Sequence, residues 1–259
     1  MKHGVRADKH LPIYPDYQQW GLAENGNIWI NDMPFKIQQL NNILSNLRID
    51  LNDYILNFAN SVSYYQAECN ADSAVILLRF ERKDGSNQGF NGEHISIIFD
   101  VKKHCLLGFT RMQADLGGEI SLSHQKILQT AIKFLKIHAS DLINRDITIP
   151  ELNEIKPSDR MIFEPELCID NTEIQWIDEH SEFILVNNLN VEISGMKVKM
   201  FLPEKKLWAW VIVDKNGQIE TFERNISWDF EKMQRKTEMW LHDKWLISQG
   251  IKLTKFCAT

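Results

Sequence analysis

The chain has 259 residues, of which 44% are hydrophobic, 25% charged and 10% aromatic, and its formal net charge is −6. This composition excludes a disordered chain, a collagen-like repeat and a small disulfide scaffold, since each needs a more skewed composition. It also argues against nucleic acid as a partner, because a general nucleic-acid binder needs an excess of basic residues. No apolar run approaches the roughly 20 residues that cross a bilayer, so we expect a globular protein that does not interact with membranes.

The first elements form an N-terminal helical extension. Residues 26–30 indicate a short strand. Residues 35–47 have the periodicity of an amphipathic helix and follow Pro34, a residue favoured at early helical positions. Residues 51–59 predict a second short helix or a turn. The charged residues 1–10 are not followed by the apolar segment of a signal peptide, which predicts a cytoplasmic protein.

Three strands and a helix follow in the first half. Residues 74–80, 95–100 and 106–112 are apolar runs of strand length with polar segments between them. Ser123 is a favourable N-cap for a helix whose apolar face continues to residue 135.

The second half repeats this order. Residues 196–201 alternate apolar with basic residues, as expected for a strand with one solvated face. Residues 208–214 and 218–224 predict a hairpin, because the intervening Asn-Gly favours the positive φ angles of a tight turn. A helix that begins near Ser227 or Asp229 closes the chain.

The repeated order predicts an α+β protein of two related halves. Each half would be an antiparallel sheet of about three strands packed by one helix. The boundary falls within residues 145–157, where two prolines and few large apolar residues occur. We therefore predict an N-terminal domain at 1–148 and a C-terminal domain at 149–259.

The hairpin of the second half also resembles a known family. Asp214, Gly217 and Ile219 match the Asp-x-x-Gly-x-Ile pattern of PepSY-type α+β modules, which often occur in tandem. The first half departs from the pattern at residues 103–105, which lack the turn glycine. The resemblance implies a ligand-binding or inhibitory scaffold without catalytic residues.

Common motifs for nucleotide binding and hydrolysis are absent from the sequence. The glycines of residues 115–119 lack the spacing of a dinucleotide loop or a P-loop, and neither GxSxG nor HExxH occurs. The cysteines are scattered without a CxxC pair, so we predict reduced thiols, no metal and no cofactor. They are Cys69, Cys105, Cys168 and Cys257.

Two histidines are the best candidates for catalysis. His180 follows Asp178 and Glu179, but neighbours on an extended chain point to opposite faces, which favours a solvated turn. Glu238 and His242 would share one face of the C-terminal helix, where an exposed pair is the preferred interpretation. The alternative is a hydrolase or metal-dependent enzyme with a site around His180 and His242.

Tryptophans are concentrated in the last quarter of the chain. Trp208 and Trp210 would lie on the same face of a strand and pack on Trp240 or Trp245. A hydrophobic core is the preferred interpretation, and an aromatic pocket in a small-ligand carrier is the alternative.

The strongest departure from average composition is a run of acids in residues 151–182. Ten acids and two bases give this segment a net charge of −8, and the rest of the chain sums to +2. A solvated linker explains the run, and a patch that attracts a basic partner is the alternative. The acids assigned to such a patch are Glu164, Glu166, Asp170, Glu173, Asp178, Glu179 and Glu182.

From these features we predict a non-enzymatic protein-binding module. One concrete form is an immunity or antitoxin-like protein that neutralises a basic bacterial toxin, because the chain is acidic and lacks a catalytic motif.

Overall fold

The computed structural model describes residues 27–30, 33–46, 49, 51–64, 75–143, 148–153, 155–156, 159–169 and 171–253. These residues contain thirteen strands and three α-helices. The strands are β1 (Asn27–Ile30), β2 (Met33–Lys36), β3 (Tyr54–Val62), β4 (Val75–Arg82), β5 (His94–Asp100), β6 (Cys105–Met112), β7 (Met161–Ile169), β8 (Thr172–Val186), β9 (Leu189–Leu202), β10 (Leu207–Asp214), β11 (Ile219–Ile226), β12 (Trp228–Asp229) and β13 (Gln234–Arg235). The helices are α1 (Ile37–Asn46), α2 (His124–His138) and α3 (Asp243–Ser248).

Nine strands form one antiparallel sheet in the order β3-β4-β5-β6-β11-β10-β9-β8-β7. The prediction of an α+β protein of two related halves, each a sheet of about three strands packed by a helix, is therefore wrong. Whether the two halves share a sheet was left open by the sequence, and in the structure they do. The two predicted hairpins meet where β6 pairs with β11, and Thr110 lies opposite Thr221 with their hydroxyls 2.7 Å apart. This pairing satisfies backbone groups that two separate sheets would leave at exposed edges. The domain boundary near residue 148 stays a prediction.

One face of the sheet, here called the helix face, packs on α1 and α2. The main hydrophobic core lies there and includes residues from both halves of the chain. Ser123 caps α2 as predicted, since its side chain accepts a hydrogen bond from the Lys126 N–H at 3.3 Å. On this face the Phe134 ring meets the Phe222 ring edge-on, with centroids 5.0 Å apart.

The other face, here called the polar face, carries charged and hydroxyl side chains along its central strands. Arg79, Ser96, Thr110 and Thr221 lie opposite one another on β4, β5, β6 and β11, and each is at most 4% exposed. The chain after β11 covers this end of the polar face, where Leu241 packs in a second hydrophobic cluster.

The long hairpin of β8 and β9 reaches back across the sheet. The Leu185 N–H donates to the carbonyl oxygen of Asn91 at 2.6 Å, and the Asn187 N–H donates to Asn87 Oδ1 at 2.8 Å. β8 and the β4–β5 loop belong to distant positions in the strand order. The sheet therefore curls strongly toward its polar face.

Several local predictions are confirmed and two are wrong. The strands predicted at 26–30, 74–80, 95–100, 106–112 and 196–201 are present as β1, β4, β5, β6 and β9, and the hairpin at 208–224 as β10 and β11, with Gly26 and Ala74 outside the described residues. Residues 51–59 are not helical, because β3 pairs with β4 along its whole length.

The predicted C-terminal helix is a two-stranded ribbon, β12–β13, followed by the short α3. β12 and β13 pair with each other in place of a continuous helix. The Thr237 hydroxyl then holds the following segment, since it donates to the Asn225 carbonyl and accepts from the Ser227 N–H, both at 2.9 Å. No helix within the described residues is long and apolar enough to cross a membrane.

Candidate functional site

The polar face brings charged and aromatic side chains together at β8, β9 and β10. Cross-strand pairing aligns Trp176, Lys199 and Trp210 in one row. The next row aligns Asp178, Lys197 and Ile212. Directly opposed residues of an antiparallel sheet share a face, so these two rows form a continuous surface.

One part of this surface is aromatic and half-exposed. The Lys199 ammonium lies 4.2 Å from the ring centroid of Trp176 and 4.6 Å from that of Trp208. The Arg160 guanidinium lies 4.5 Å from the Trp176 centroid, and the Phe201 ring lies 4.9 Å from the Trp208 ring. These five residues are here called the aromatic surface.

The other part is a chain of ionisable groups, here called the acid–base cluster. His180 Nε2 and His242 Nδ1 each lie 3.4 Å from the same oxygen, Glu182 Oε1. His242 Nε2 lies 2.9 Å from Glu223 Oε2, and Arg235 donates to Glu223 Oε1 at 2.7 Å. The sixth member of the cluster is Lys197, whose Nζ lies 3.2 Å from His180 Nδ1.

The cluster is positioned by the sheet and by the covering C-terminal segment. Glu223 is 1% exposed on β11, and His242 stands at the N-cap position of α3. Burial disfavours the charged imidazole, but the carboxylates of Glu223 and Glu182 outweigh burial and raise the pKa of His242 to about 10. His242 is therefore an imidazolium at neutral pH. In turn, Arg235 and His242 overcome burial and hold the pKa of Glu223 well below its usual range.

Glu220 is a buried carboxyl beside this cluster. It is the extra residue of a bulge in β11, because Ile212 pairs with Thr221 and Val213 pairs with Ile219. It is 0% exposed, and neither carboxyl oxygen has a hydrogen-bond partner within the described part of the chain. Burial and the nearby carboxylates of Glu182 and Asp214 raise its pKa to about 8.

A glycine makes room for this carboxyl. A Cβ atom on Gly195 would lie 2.7 Å from Glu220 Oε2 and 2.4 Å from a methyl carbon of Ile212. Both distances are shorter than real Cβ contacts. Gly195 is thus required for the close approach of β9 to the Glu220 side chain.

The structure unites the two candidate histidines but separates their predicted neighbours. His180 and His242 meet at Glu182, whereas Glu179 is exposed on the helix face of β8. Asp178 lies on the polar face, 3.8 Å from Arg160. Glu238 shares no helix with His242, and its carboxylate lies 3.5 Å from Ser63 Oγ.

The predicted aromatic patch is divided into two groups. Trp208 and Trp210 lie on the polar face beside Trp176. Trp240 and Trp245 instead pack edge-to-face on each other, with centroids 5.0 Å apart, and the Trp240 indole donates to the Ser63 carbonyl at 2.6 Å. Trp210 adjoins the acid–base cluster through its ring, with Lys197 Nζ 5.9 Å and the Arg235 guanidinium 5.5 Å from its centroid. Trp245 contacts the cluster through its backbone N–H, which donates to the His242 carbonyl at 3.0 Å.

The acidic segment is spread over several environments. Glu164 and Glu166 are exposed on the edge strand β7, while Glu173 is half-buried and accepts from Gln175 at 3.2 Å. Glu182 belongs to the acid–base cluster. Asp170, Cys69 and Cys257 lie outside the described residues.

The sequence did not single out the cations of this site or two of its acids, Glu220 and Glu223. The alternation of Lys197 and Lys199 with apolar residues signalled a polar strand face, but not what lies opposite it. Glu220 and Glu223 fell inside a predicted strand, where nothing in the sequence marks them as buried.

A groove of about 380 Å³ lies elsewhere, between α2 and the β10–β11 turn, and is lined by residues that include Lys126, Phe134, His138 and Gly217. Burial lowers the pKa of His138 to about 4, so this histidine is neutral at physiological pH. We place the candidate site on the polar face, because buried charges converge there.

Within the described residues no group of three or more histidine, cysteine or acidic side chains is arranged to hold a metal ion.

Comparison with known proteins finds no matching family model, no matching curated protein and no matching solved structure. The resemblance to PepSY-type modules therefore stays a prediction.

Proposed function

We propose that this chain is a non-enzymatic binding protein whose aromatic surface holds a small anionic ligand with a flat ring. The environment of Lys199 carries this proposal. Its ammonium lies against Trp176 and Trp208, and no carboxylate within the described residues lies at ion-pair distance from it. A half-buried cation that is not ion-paired to a carboxylate is a favourable partner for an anion.

The electrostatics of the surface support an anionic ligand. Burial lowers the pKa of Lys199, and the positive charge of Lys197 lowers it further. A bound anionic group would offset both effects and favour the charged ammonium. The indole faces of Trp176 and Trp208 offer a stacking surface for a flat ring next to that charge.

Two probes of the same ring system test the proposal. Naphthalene-2-sulfonate is expected to bind, as measured by calorimetry, and 2-naphthylmethanol, its neutral counterpart, is expected to bind more weakly. Lys199→Met should weaken sulfonate binding by roughly tenfold, because it removes the charge and keeps the apolar stem. Lys205→Met, in the exposed β9–β10 turn, should leave binding unchanged. Equal weakening by both variants would contradict the proposal.

A basic protein is the second candidate partner, and the outer part of β7 favours it. β7 is an edge strand of the sheet, and Ile162 on its polar face is 55% exposed. Glu164 and Glu166 lie further along β7, in a stretch where its pairing with β8 is irregular, and are also exposed. An apolar and acidic edge suits a basic, partly apolar segment that adds to the sheet, and a basic toxin is one such partner.

Charge reversal on β7 tests this second candidate. The double variant Glu164→Lys with Glu166→Lys is expected to abolish co-purification of a basic protein from the native cell. The matched control reverses two exposed acids elsewhere, Glu204 and Glu231, and should keep the complex. If both double variants retain the same partner, β7 is not its binding site.

A further inference from the structure

Lys197 differs from its neighbour Lys199 in having a base beside it. It is half-buried on β9, with Nζ 5.9 Å from the ring centroid of Trp210 and 3.2 Å from His180 Nδ1. Lys199, two residues along the same face, has aromatic neighbours but no histidine contact within the described residues. The two lysines therefore form a natural internal comparison.

The orientation of His180 suits it to accept a proton from Lys197. An ammonium only donates hydrogen bonds, so His180 Nδ1 must accept and the ring proton of the neutral imidazole lies on Nε2. His180 Nε2 faces Glu182 Oε1 at 3.4 Å. An amine, an imidazole base and a carboxylate that orients the base thus follow one another, as in activated nucleophiles.

Burial also favours the neutral amine of Lys197. It lowers the pKa of Lys197 even though Asp178, Glu223 and Glu182 favour the ammonium. A larger fraction of the neutral amine is therefore present at a given pH than for an exposed lysine.

We propose that Lys197 is a nucleophilic amine that captures an aldehyde or ketone as an imine. This reaction goes beyond the proposed function, which needs only stacking and ionic contacts around Lys199. His180 accepts one proton from the ammonium, and the nitrogen lone pair then forms a bond to the carbonyl carbon. The carbonyl π electrons move to the oxygen, which takes one of the two protons left on the nitrogen and becomes a hydroxyl.

Water then leaves to complete the imine. The proton held by His180 is transferred to the hydroxyl, the nitrogen lone pair forms the C=N bond, and the C–O bond breaks. The ammonium and the carbonyl compound are thereby converted to a protonated imine and one water molecule. No oxidant, reductant or net proton is consumed.

Reductive trapping on the full chain tests the proposal. The protein is incubated at pH 7 with pyridine-4-carboxaldehyde, a neutral aldehyde, and sodium cyanoborohydride, and the modified lysines are mapped by peptide mass spectrometry. We expect Lys197 to be modified faster than Lys199 or the exposed Lys205 by roughly tenfold. Modification of Lys197 no faster than Lys199 would overturn the proposal, and this comparison needs no variant.

A substitution separates the base from burial. His180→Gln should slow modification of Lys197 by roughly tenfold and leave Lys199 and Lys205 unchanged, because it removes the proton acceptor. An unchanged Lys197 rate in a folded His180→Gln protein would show that His180 does not act as the base. The anionic-ligand proposal is tested by sulfonate binding and the imine proposal by the rate of Lys197 modification in the unsubstituted protein, so failure of one is distinguishable from failure of the other.

Discussion

Arg79→Met is expected to lower the free energy of unfolding by about 3–5 kcal/mol, because it leaves buried carboxylates without their counter-ion. Arg79 is 1% exposed on β4. Its guanidinium donates to Asp243 at 2.6 and 3.1 Å, to Glu81 at 2.9 Å and to the Gly89 carbonyl at 2.9 Å. Methionine keeps much of the volume but none of these bonds, so the loss reports the missing charge and hydrogen bonds rather than lost packing.

Urea unfolding at neutral pH measures this loss against a matched control. Arg82→Met, three residues further along β4, removes a partly exposed guanidinium whose partner, Asp84, is more than half-exposed. Exposed pairs contribute little, so we expect a change of no more than about 1 kcal/mol. Adding Asp243→Asn and Glu81→Gln to Arg79→Met should recover part of the loss. A similar loss for both arginine variants would contradict the role assigned to Arg79.

The Arg79 contacts also explain how the C-terminal segment is held on the polar face. Asp243 begins α3, and its carboxylate accepts from the Asn91 N–H at 2.5 Å as well as from Arg79. One carboxylate thus ties the covering segment both to β4 and to the β4–β5 loop. The same segment carries His242 to Glu182 and Glu223, so its docking assembles the acid–base cluster.

The sequence was sufficient to predict elements that depend only on residues close together in the chain. The Ser123 cap of α2 and the Asn216-Gly217 turn of the β10–β11 hairpin depend on residues close together in the chain. The hairpin forms, with Gly217 at φ 73° and its N–H donating to the Asp214 carbonyl at 3.0 Å, but Asn216 does not share the positive φ that the sequence predicted.

These local signals could not predict the pairing of strands that are distant in the chain. Thr110 and Thr221 are 111 residues apart, and neither sequence neighbourhood specifies that the two hairpins join into one sheet. The predicted C-terminal helix failed because its apolar spacing was misleading. Phe230 and Met233 are 70% and 76% exposed, so the periodicity there does not mark a buried face.

In the candidate site, too, single residues could be identified from the sequence but their long-range contacts could not. Sequence reasoning selected His180 and His242 but could not place Glu182 between them, since that contact depends on how the C-terminal segment docks on the sheet. Trp176 and Trp208 lie on strands separated by β9, so their proximity also required the sheet order.

Glu220→Gln is expected to remove a pH dependence of the free energy of unfolding that the parent protein shows. The pKa of this carboxyl is about 8 in the folded protein against 4.5 for an ordinary glutamate. Between these values the folded chain holds a proton that the unfolded chain has released. Stability therefore falls as pH rises through this range, and a group with these values contributes a loss of about 2 kcal/mol between pH 6 and pH 8.

Urea unfolding of both proteins at pH 6, 7 and 8 tests this expectation. Glutamine has nearly the shape of the protonated carboxyl and does not titrate, so the Glu220→Gln protein should be the more stable one at pH 8, and the difference should shrink toward pH 6. Glu204→Gln removes an exposed carboxyl from the β9–β10 turn and should follow the parent protein at every pH. Parallel pH profiles for the parent and Glu220→Gln proteins would show that Glu220 is ionised in the fold. The space that Gly195 provides would then hold a charge rather than a neutral acid, and the charge balance of the neighbouring cluster would change by one unit.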